Sequence, residues 1–193
     1  MRQMTILLFI FSLIACSAPV NKVNYYMLYV PTNVSAPSSQ ANKSIKVRLN
    51  KIVLADYLKQ SGLSMQINQN QMYFSRHDLW AESLEAAIAK VLLIDLNKSE
   101  HMQIIGYNSP LLEQNMMELN VQIDHFYPTD RSTVLVSGAF WITSAKAEKE
   151  LEQPFFFQLP LSKDGFTHAV EQQRALLQLV AQQIQQELST LDI

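Results

Sequence analysis

The chain has one cysteine and four histidines to offer for nucleophilic or metal chemistry. The cysteine is the more telling. Cys16 ends the run Leu13-Ile14-Ala15-Cys16, the bacterial lipobox pattern of Leu, a tolerant position, a small residue and Cys. A peptidase must approach the bond before the cysteine, which explains the small Ala15. The thiol takes a diacylglycerol through a thioether, and the freed amine can then be acylated. Upstream, Met1 and Arg2 supply positive charge and residues 5–14 form an apolar run. That run is far shorter than the roughly 20 residues a spanning helix needs, and it fits the hydrophobic region of a secretory signal. Residues 1–15 therefore read as a cleaved leader, with cleavage after Ala15, residues 16–24 as a lipidated tether, and residues 25–193 as the domain. The competing reading is an ordinary secretory leader with a chance cysteine. Acyl chains contribute about 0.8 kcal/mol per buried CH₂, so several of them hold a protein firmly on a membrane. Ser17 follows the cysteine, where Asp marks inner-membrane retention in enteric-type bacteria. The expected address is the outer membrane, facing the periplasm.

The remaining chemistry is sparse. His77, His101, His125 and His168 show no H-x-x-x-H spacing. The only cysteine is committed to lipid, so neither a zinc set nor an intramolecular disulfide is expected. Asp124 and His125 are adjacent, but strand alternation would send their side chains to opposite faces. There is no G-x-S-x-G elbow and no P-loop, and the four glycines (Gly62, Gly106, Gly138, Gly165) are scattered. A triad is a spatial object and could be assembled from distant residues, yet nothing in the sequence supports one. The expectation is a protein that is not an enzyme and has no cofactor besides the covalent lipid on Cys16. A formal charge of −2, with only 17% charged residues, lacks the basic footprint of a nucleic-acid binder. With 48% hydrophobic and 9% aromatic residues, the composition excludes disordered, collagen-like, disulfide-rich and polytopic membrane classes.

The elements that would carry any site follow from periodicity. Residues 25–30 read as a first strand, and residues 31–44, rich in Pro, Ser and Asn, as a loop. Ile45, Val47 and Leu49 alternate with Lys46, Arg48 and Asn50, a half-buried strand continuing towards Leu54. Residues 64–68 and 71–75 bracket a Gln69-Asn70 turn. A helix is expected over residues 79–96, with Leu84, Ile88, Val91 and Leu92 on one face, Glu82, Glu85 and Lys90 towards solvent, and Asp78 as its N-cap. Strands follow at 102–107, 117–127, 134–143 and 154–161, with Val121 and Ile123 alternating with Gln122 and Asp124. Asp164-Gly165 turns into a final helix, about 166–188, striped by Phe166, Val170, Gln173, Leu177, Val180, Ile184 and Leu188. This order predicts an α/β single domain, a mixed β-sheet with two main helices packed on it. Tyr57, Leu58 and Trp80 are candidates for facing a partner, set against the commoner packing role for such residues. Gln172, Gln178, Gln182, Gln183, Gln185 and Gln186 give the last helix a low-charge polar face. It is either a solvated surface or a subunit contact, since amides cost less to desolvate than charges.

Several segments, in order, carry a family likeness. They are Tyr25-Tyr26-Met27-Leu28, Ile52-Val53-Leu54-Ala55-Asp56-Tyr57-Leu58, Leu79-Trp80-Ala81-Glu82-Ser83-Leu84 and Val121-Gln122-Ile123-Asp124-His125-Phe126. Ala139-Phe140-Trp141, Phe155-Phe156-Phe157 and Asp164-Gly165-Phe166 complete the series. Together the chain resembles the PqiC-like ABC-type transport auxiliary lipoproteins over nearly its whole mature length. It departs from them at Ala55, where Pro is common, and at Leu79, where a basic residue often precedes the Trp. The resemblance implies an anticodon-binding-domain-like α/β fold without known catalysis. It also implies a periplasmic MCE-domain protein and its membrane permease as partners, with assembly into a homo-oligomer. Two other classes stay open: a lipid-anchored periplasmic hydrolase with an unrecognised site, and a scaffold lipoprotein of another envelope machine. Cys16→Ala is expected to block lipidation and leave an uncleaved or mislocalised precursor. Metabolic labelling with a fatty-acid probe checks this, and equal label in both proteins would refute the anchor.

Overall fold

The computed structural model describes residues 22–28, 45–99, 101–110, 116–143 and 151–190. Strands β1 (Asn24–Tyr26), β2 (Ile45–Leu49), β3 (Val53–Leu54), β4 (Gly62–Asn68) and β5 (Gln71–Trp80) precede helix α1 (Leu84–Leu96). Strands β6 (Met102–Gly106), β7 (Met117–Thr129), β8 (Thr133–Thr143) and β9 (Leu151–Pro160) then lead to helix α2 (Phe166–Thr190), and a 3-10 turn spans Asp56–Lys59. The strands form one mixed nine-stranded sheet. With two α-helices and one core among the described residues, this is the α/β class the order of elements predicts.

β7 organises the sheet. One edge is taken by β8, antiparallel, from Glu118 opposite Thr143 to Thr129 opposite Thr133. The other edge is divided among three strands, all parallel to it: β2 at Met117–Leu119, β3 at Gln122 and Ile123, and β4 at Thr129. β6 extends the sheet beyond β2, β5 and then β1 extend it beyond β4, and β9 closes the far side beside β8. Leu119, Val121 and Ile123 of β7 and Val134, Val136 and Phe140 of β8 are fully buried. They form the sheet's half of the core, and the polar residues between them face outwards, as alternation requires.

The helices supply the other half. Leu84, Ile88, Val91 and Leu92 of α1 are buried, as are Val170, Gln173, Leu177, Val180, Ile184 and Leu188 of α2. Phe166 is half-buried against this core. Each such aliphatic side chain contributes roughly 1.5–3 kcal/mol on leaving water, so the α2 stripe is a principal source of stability. Gly165, at φ +98°, makes the turn into α2, and its carbonyl accepts from the Ala169 amide at 3.2 Å.

Several boundaries differ from those periodicity suggests. The first strand is only Asn24–Tyr26; Leu28 is buried beyond it, and residues 29–30 and the expected loop 31–44 lie outside the described residues. The strand expected from Ile45 to Leu54 breaks at Asn50, whose amide bonds to the Leu119 carbonyl at 2.9 Å, so that β2 and β3 reach β7 separately. α1 begins at Leu84, not Leu79. Its cap is Ser83, whose hydroxyl accepts from the Ala86 amide at 3.3 Å, and Asp78 lies inside β5. The cause is non-local: β1 pairs with Asp78, Leu79 and Trp80 and holds them extended. At the Gln69-Asn70 turn the Asn68 side chain accepts from the Asn70 amide at 3.0 Å, so an Asx turn serves where glycine is missing.

A bulge in β7 corrects one further expectation. The register slips between Ile123 and His125, and Asp124 is the extra residue. Ile123 and Phe126 both face the core, so Asp124 and His125 lie together off the core face and are not opposed. Gly138 sits across from this bulge. A Cβ there would lie 2.0 Å from the Gln122 carbonyl oxygen and 2.9 Å from the Phe155 ring. Two substitutions test this packing by different routes. Gly138→Ala forces the β7–β8 backbones apart, and Val180→Asp buries an unpaired charge in the α2 stripe. Each is expected to cost at least about 3 kcal/mol in thermal melts followed by circular dichroism. An unchanged melting temperature for Val180→Asp would put the stripe on the wrong face.

Candidate docking site

Cys16 and Ala15 lie outside the described residues, so the site is built from where the tether enters the fold. β1 runs parallel beside β5, with Asn24 opposite Asp78, Tyr25 opposite Leu79 and Tyr26 opposite Trp80. Three backbone pairs are a weak hold, and side chains reinforce them. Asp78 accepts from Asn24 Nδ2 at 3.0 Å, from the Tyr26 hydroxyl at 3.2 Å and from Ser75 Oγ at 3.0 Å. The Asn24 hydrogen bond, with those of Ser75 and Tyr26, holds the Asp78 carboxyl below the ordinary aspartate range. Burial pushes the Tyr26 phenol up, and its ring meets Phe166 edge-on at 6.4 Å. β1 is thereby tied to both the sheet and the start of α2.

Of the three residues considered for a partner, two are core. Leu58 (2% exposed) and Trp80 (9%) are buried, because the 3-10 turn and the end of β5 both point inwards. Both belong to the hydrophobic core. Tyr57 is half-buried. Its hydroxyl donates to the Asp124 carbonyl at 2.5 Å, and its ring lies 6.3 Å from that of Tyr127. Burial, with Tyr127 and Asp124 adding to it, pushes the Tyr57 phenol well above its usual range, so this group stays a neutral donor. Beyond it, His125 faces Tyr127 at 5.7 Å and shares a 2.8 Å hydrogen bond with Ser137 Oγ through Nδ1. The neighbouring carboxylate, Asp124, accepts from Gln122 instead, at 2.8 Å. His125 and Ser137 thus form an exposed cross-strand pair without the carboxylate that would orient the ring for base catalysis.

His168 pairs with Glu171 at 3.2 Å on the first turn of α2 and meets Ser162 at 3.3 Å. No group of three or more His, Cys, Asp or Glu that could hold a metal occurs among the described residues.

The polar group that periodicity misses is internal. Arg174 of α2 grips Asp95 of α1 through two contacts, at 2.8 and 2.7 Å, and both side chains are buried. Lys98 adds a third contact at 2.7 Å. The sequence signal was available: a charge at each of two positions that fall among apolar residues on helix stripes. The glutamines of α2 divide. Gln173 bonds to the Phe126 carbonyl, Gln183 to that of Pro154, and Gln185 to those of Asp95 and Leu96. Gln178, Gln182 and Gln186 remain exposed. Part of the amide face is thus internal stitching, and the remainder is solvent-facing.

Comparison with known proteins bears on the whole fold. The family model described as ABC-type transport auxiliary lipoprotein component matches residues 26–185. No curated protein matches in sequence. A crystal structure of an uncharacterised protein superposes with a TM-score of 0.74 at 20% identity, covering 86% of this chain and 98% of its own. A Xanthomonas campestris protein assigned to DUF330 superposes at 0.66 and 9% identity, covering 83% of this chain and 92% of its own. At these identities the likeness is one of fold. No described helix is long and apolar enough to cross a membrane.

The Asp78 network makes the attachment of β1 sensitive to acid. A carboxylate with a lowered folded pKa stabilises the fold above its unfolded value, about 4, and loses that contribution as pH falls through the folded value. Amide exchange at Asn24–Tyr26 and Ala81 is therefore expected to accelerate below about pH 4 relative to the core. Asp78→Ala should accelerate it at neutral pH and remove the acid dependence. Protection unaffected by either change would mean that the backbone pairs alone hold β1.

Proposed function

The chain belongs to the ABC-type transport auxiliary lipoproteins, and on that premise we propose that it is the accessory subunit of an MCE-type intermembrane lipid transport system. It is anchored through Cys16 in the outer membrane, faces the periplasm, and contributes docking surface or conduit wall without turning over substrate. The observation that carries this reading is the family match across residues 26–185 directly behind a lipobox. The chemistry of the domain supports it. Most of its polar clusters hold strands and helices together; of its two His–Ser pairs, His125–Ser137 has no orienting carboxylate, and Ser162–His168, with Glu171 on Nδ1, lies exposed at the start of α2.

Self-association belongs to the same proposal. Among the described residues β9 pairs only with β8, which leaves a ten-residue edge bearing Phe156 at 63% exposure. A free edge and an exposed aromatic suit a neighbouring copy. An annular partner would present one surface several times, so repeated weak contacts would gain avidity.

Affinity capture of the lipidated protein from solubilised membranes is expected to retain the MCE-domain protein and its permease. Loss of the gene is expected to sensitise cells to detergent, and His77→Ala, His125→Ala or His168→Ala should each restore resistance as well as the native gene. Restoration lost through one histidine, with no partner retained, would favour the hydrolase. A different envelope complex on the beads would favour the scaffold.

A further inference from the structure

β1 reverses the usual pattern of an edge strand. Asn24, though exposed, and half-buried Tyr26 bond to Asp78, and Leu28, just after the strand, is 3% exposed. The alternate positions Val23, Tyr25 and Met27 face solvent at 39%, 68% and 61% exposure. Tyr25 lies beside Leu79, which pairs with Gly62 across β4, and Ser64, on the same face as Gly62, pairs with the exposed Phe74. Half-buried Leu79 and exposed Phe74 are thus apolar side chains of the β4–β5 hairpin on this face, with Gly62, Ser64 and a register shift between them. Lys22 and Arg76, both exposed, stand beside it in the chain.

The position of this surface decides what covers it. Cys16 and Asn24 are eight residues apart, which spans at most about 27 Å fully extended. That is less than the length of β7, 13 residues at about 3.3 Å each. A lipid on Cys16 therefore holds β1, the first element after the tether, within that distance of the bilayer. β9 lies at the opposite edge, five strand spacings away along β9-β8-β7-β4-β5-β1, about 24 Å. Tyr at the headgroup level, with Met and Val against the acyl boundary and Lys and Arg towards anionic headgroups, is the composition a membrane interface selects.

We infer that the outward face of β1, through Val23, Tyr25 and Met27, rests on the surface of the bilayer that holds the lipidated Cys16. The inference rests on the lipoprotein reading above and adds an orientation to it: β1 and the hairpin lie towards the membrane, and the β9 edge is left for protein partners.

The test uses the lipidated full chain in vesicles of phosphatidylethanolamine and phosphatidylglycerol. Because the Cys16 sulfur is a thioether, Tyr25→Cys, Met27→Cys and Phe156→Cys each provide a single reactive thiol for a polarity-sensitive fluorophore. All three positions are exposed, so the label displaces no core side chain. Flotation reports the anchor, and quenching by lipids brominated on their acyl chains reports the face. Labels at 25 and 27 are expected to be quenched at least twofold more than the label at 156. Flotation with equal quenching at all three positions overturns the orientation and leaves the anchor standing. Failure to float overturns both. A blue-shifted emission at 25 or 27 that brominated lipid does not quench overturns the inference in favour of a protein surface, from a second copy or a partner, covering β1.

Discussion

The sheet is assembled around the backbone of β7. A strand of 13 residues offers one edge to β8 along its whole length and lends the other, in succession, to β2, β3 and β4. Each of those strands is short because it has only part of an edge to pair with. The bulge at Asp124 falls one residue beyond the β3 pairing, and it changes which parity of residue meets the core between Ile123 and Phe126. Gly138 accepts that bulge by having no Cβ. The Tyr57 hydroxyl then binds the carbonyl of the bulged Asp124, which leaves fewer of its backbone groups without a partner.

The helices depend on a second constraint of opposite character. Asp95 sits in the last turn of α1, where the helix dipole disfavours a carboxylate. Arg174 and Lys98 compensate it, and the Gln185 amide satisfies the carbonyls of Asp95 and Leu96 from the other helix. A buried ion pair adds little net stability against an apolar pair of the same size, but removing one partner costs about 3–5 kcal/mol. Its effect is therefore on geometry: α2 cannot slide along α1 without stranding a charge. One register of the two helices is selected, and with it the placement of α2 over β7, β8 and β9.

Part of the polar chemistry is spent inside the domain, on Asp95–Arg174 and on the Gln173 and Gln185 amides, and the rest lies at the surface. At one end are the anchored strand and its apolar outward face; at the other is the open edge of β9. A subunit placed between a membrane and a protein machine, as proposed above, would use two such ends and a rigid body between them. Two polar groupings, His125–Ser137 and Ser162–His168–Glu171, stay at the surface.

Read alone, the sequence determined whatever depends on near neighbours. The expected leader and lipobox are read from contiguous residues. The α2 stripe from Val170 to Leu188, the α1 face and the alternation of Val121 and Ile123 are periodicities of 3.6 and 2, so they could be read directly from the sequence. The likeness to the auxiliary lipoproteins rested on the order of such segments. The tertiary structure alone decided what depends on residues distant in the chain. Leu79 and Trp80 have a helical pattern but are strand, because β1 arrives from more than fifty positions earlier to pair with them. The burial of Trp80, the commoner reading for such a residue, follows from that pairing, and that of Leu58 from the inward 3-10 turn. Asp95 and Arg174, 79 positions apart, are ordinary charges in sequence and a buried clamp in space. Periodicity records which way a side chain points relative to its own element, and only packing determines what stands opposite it.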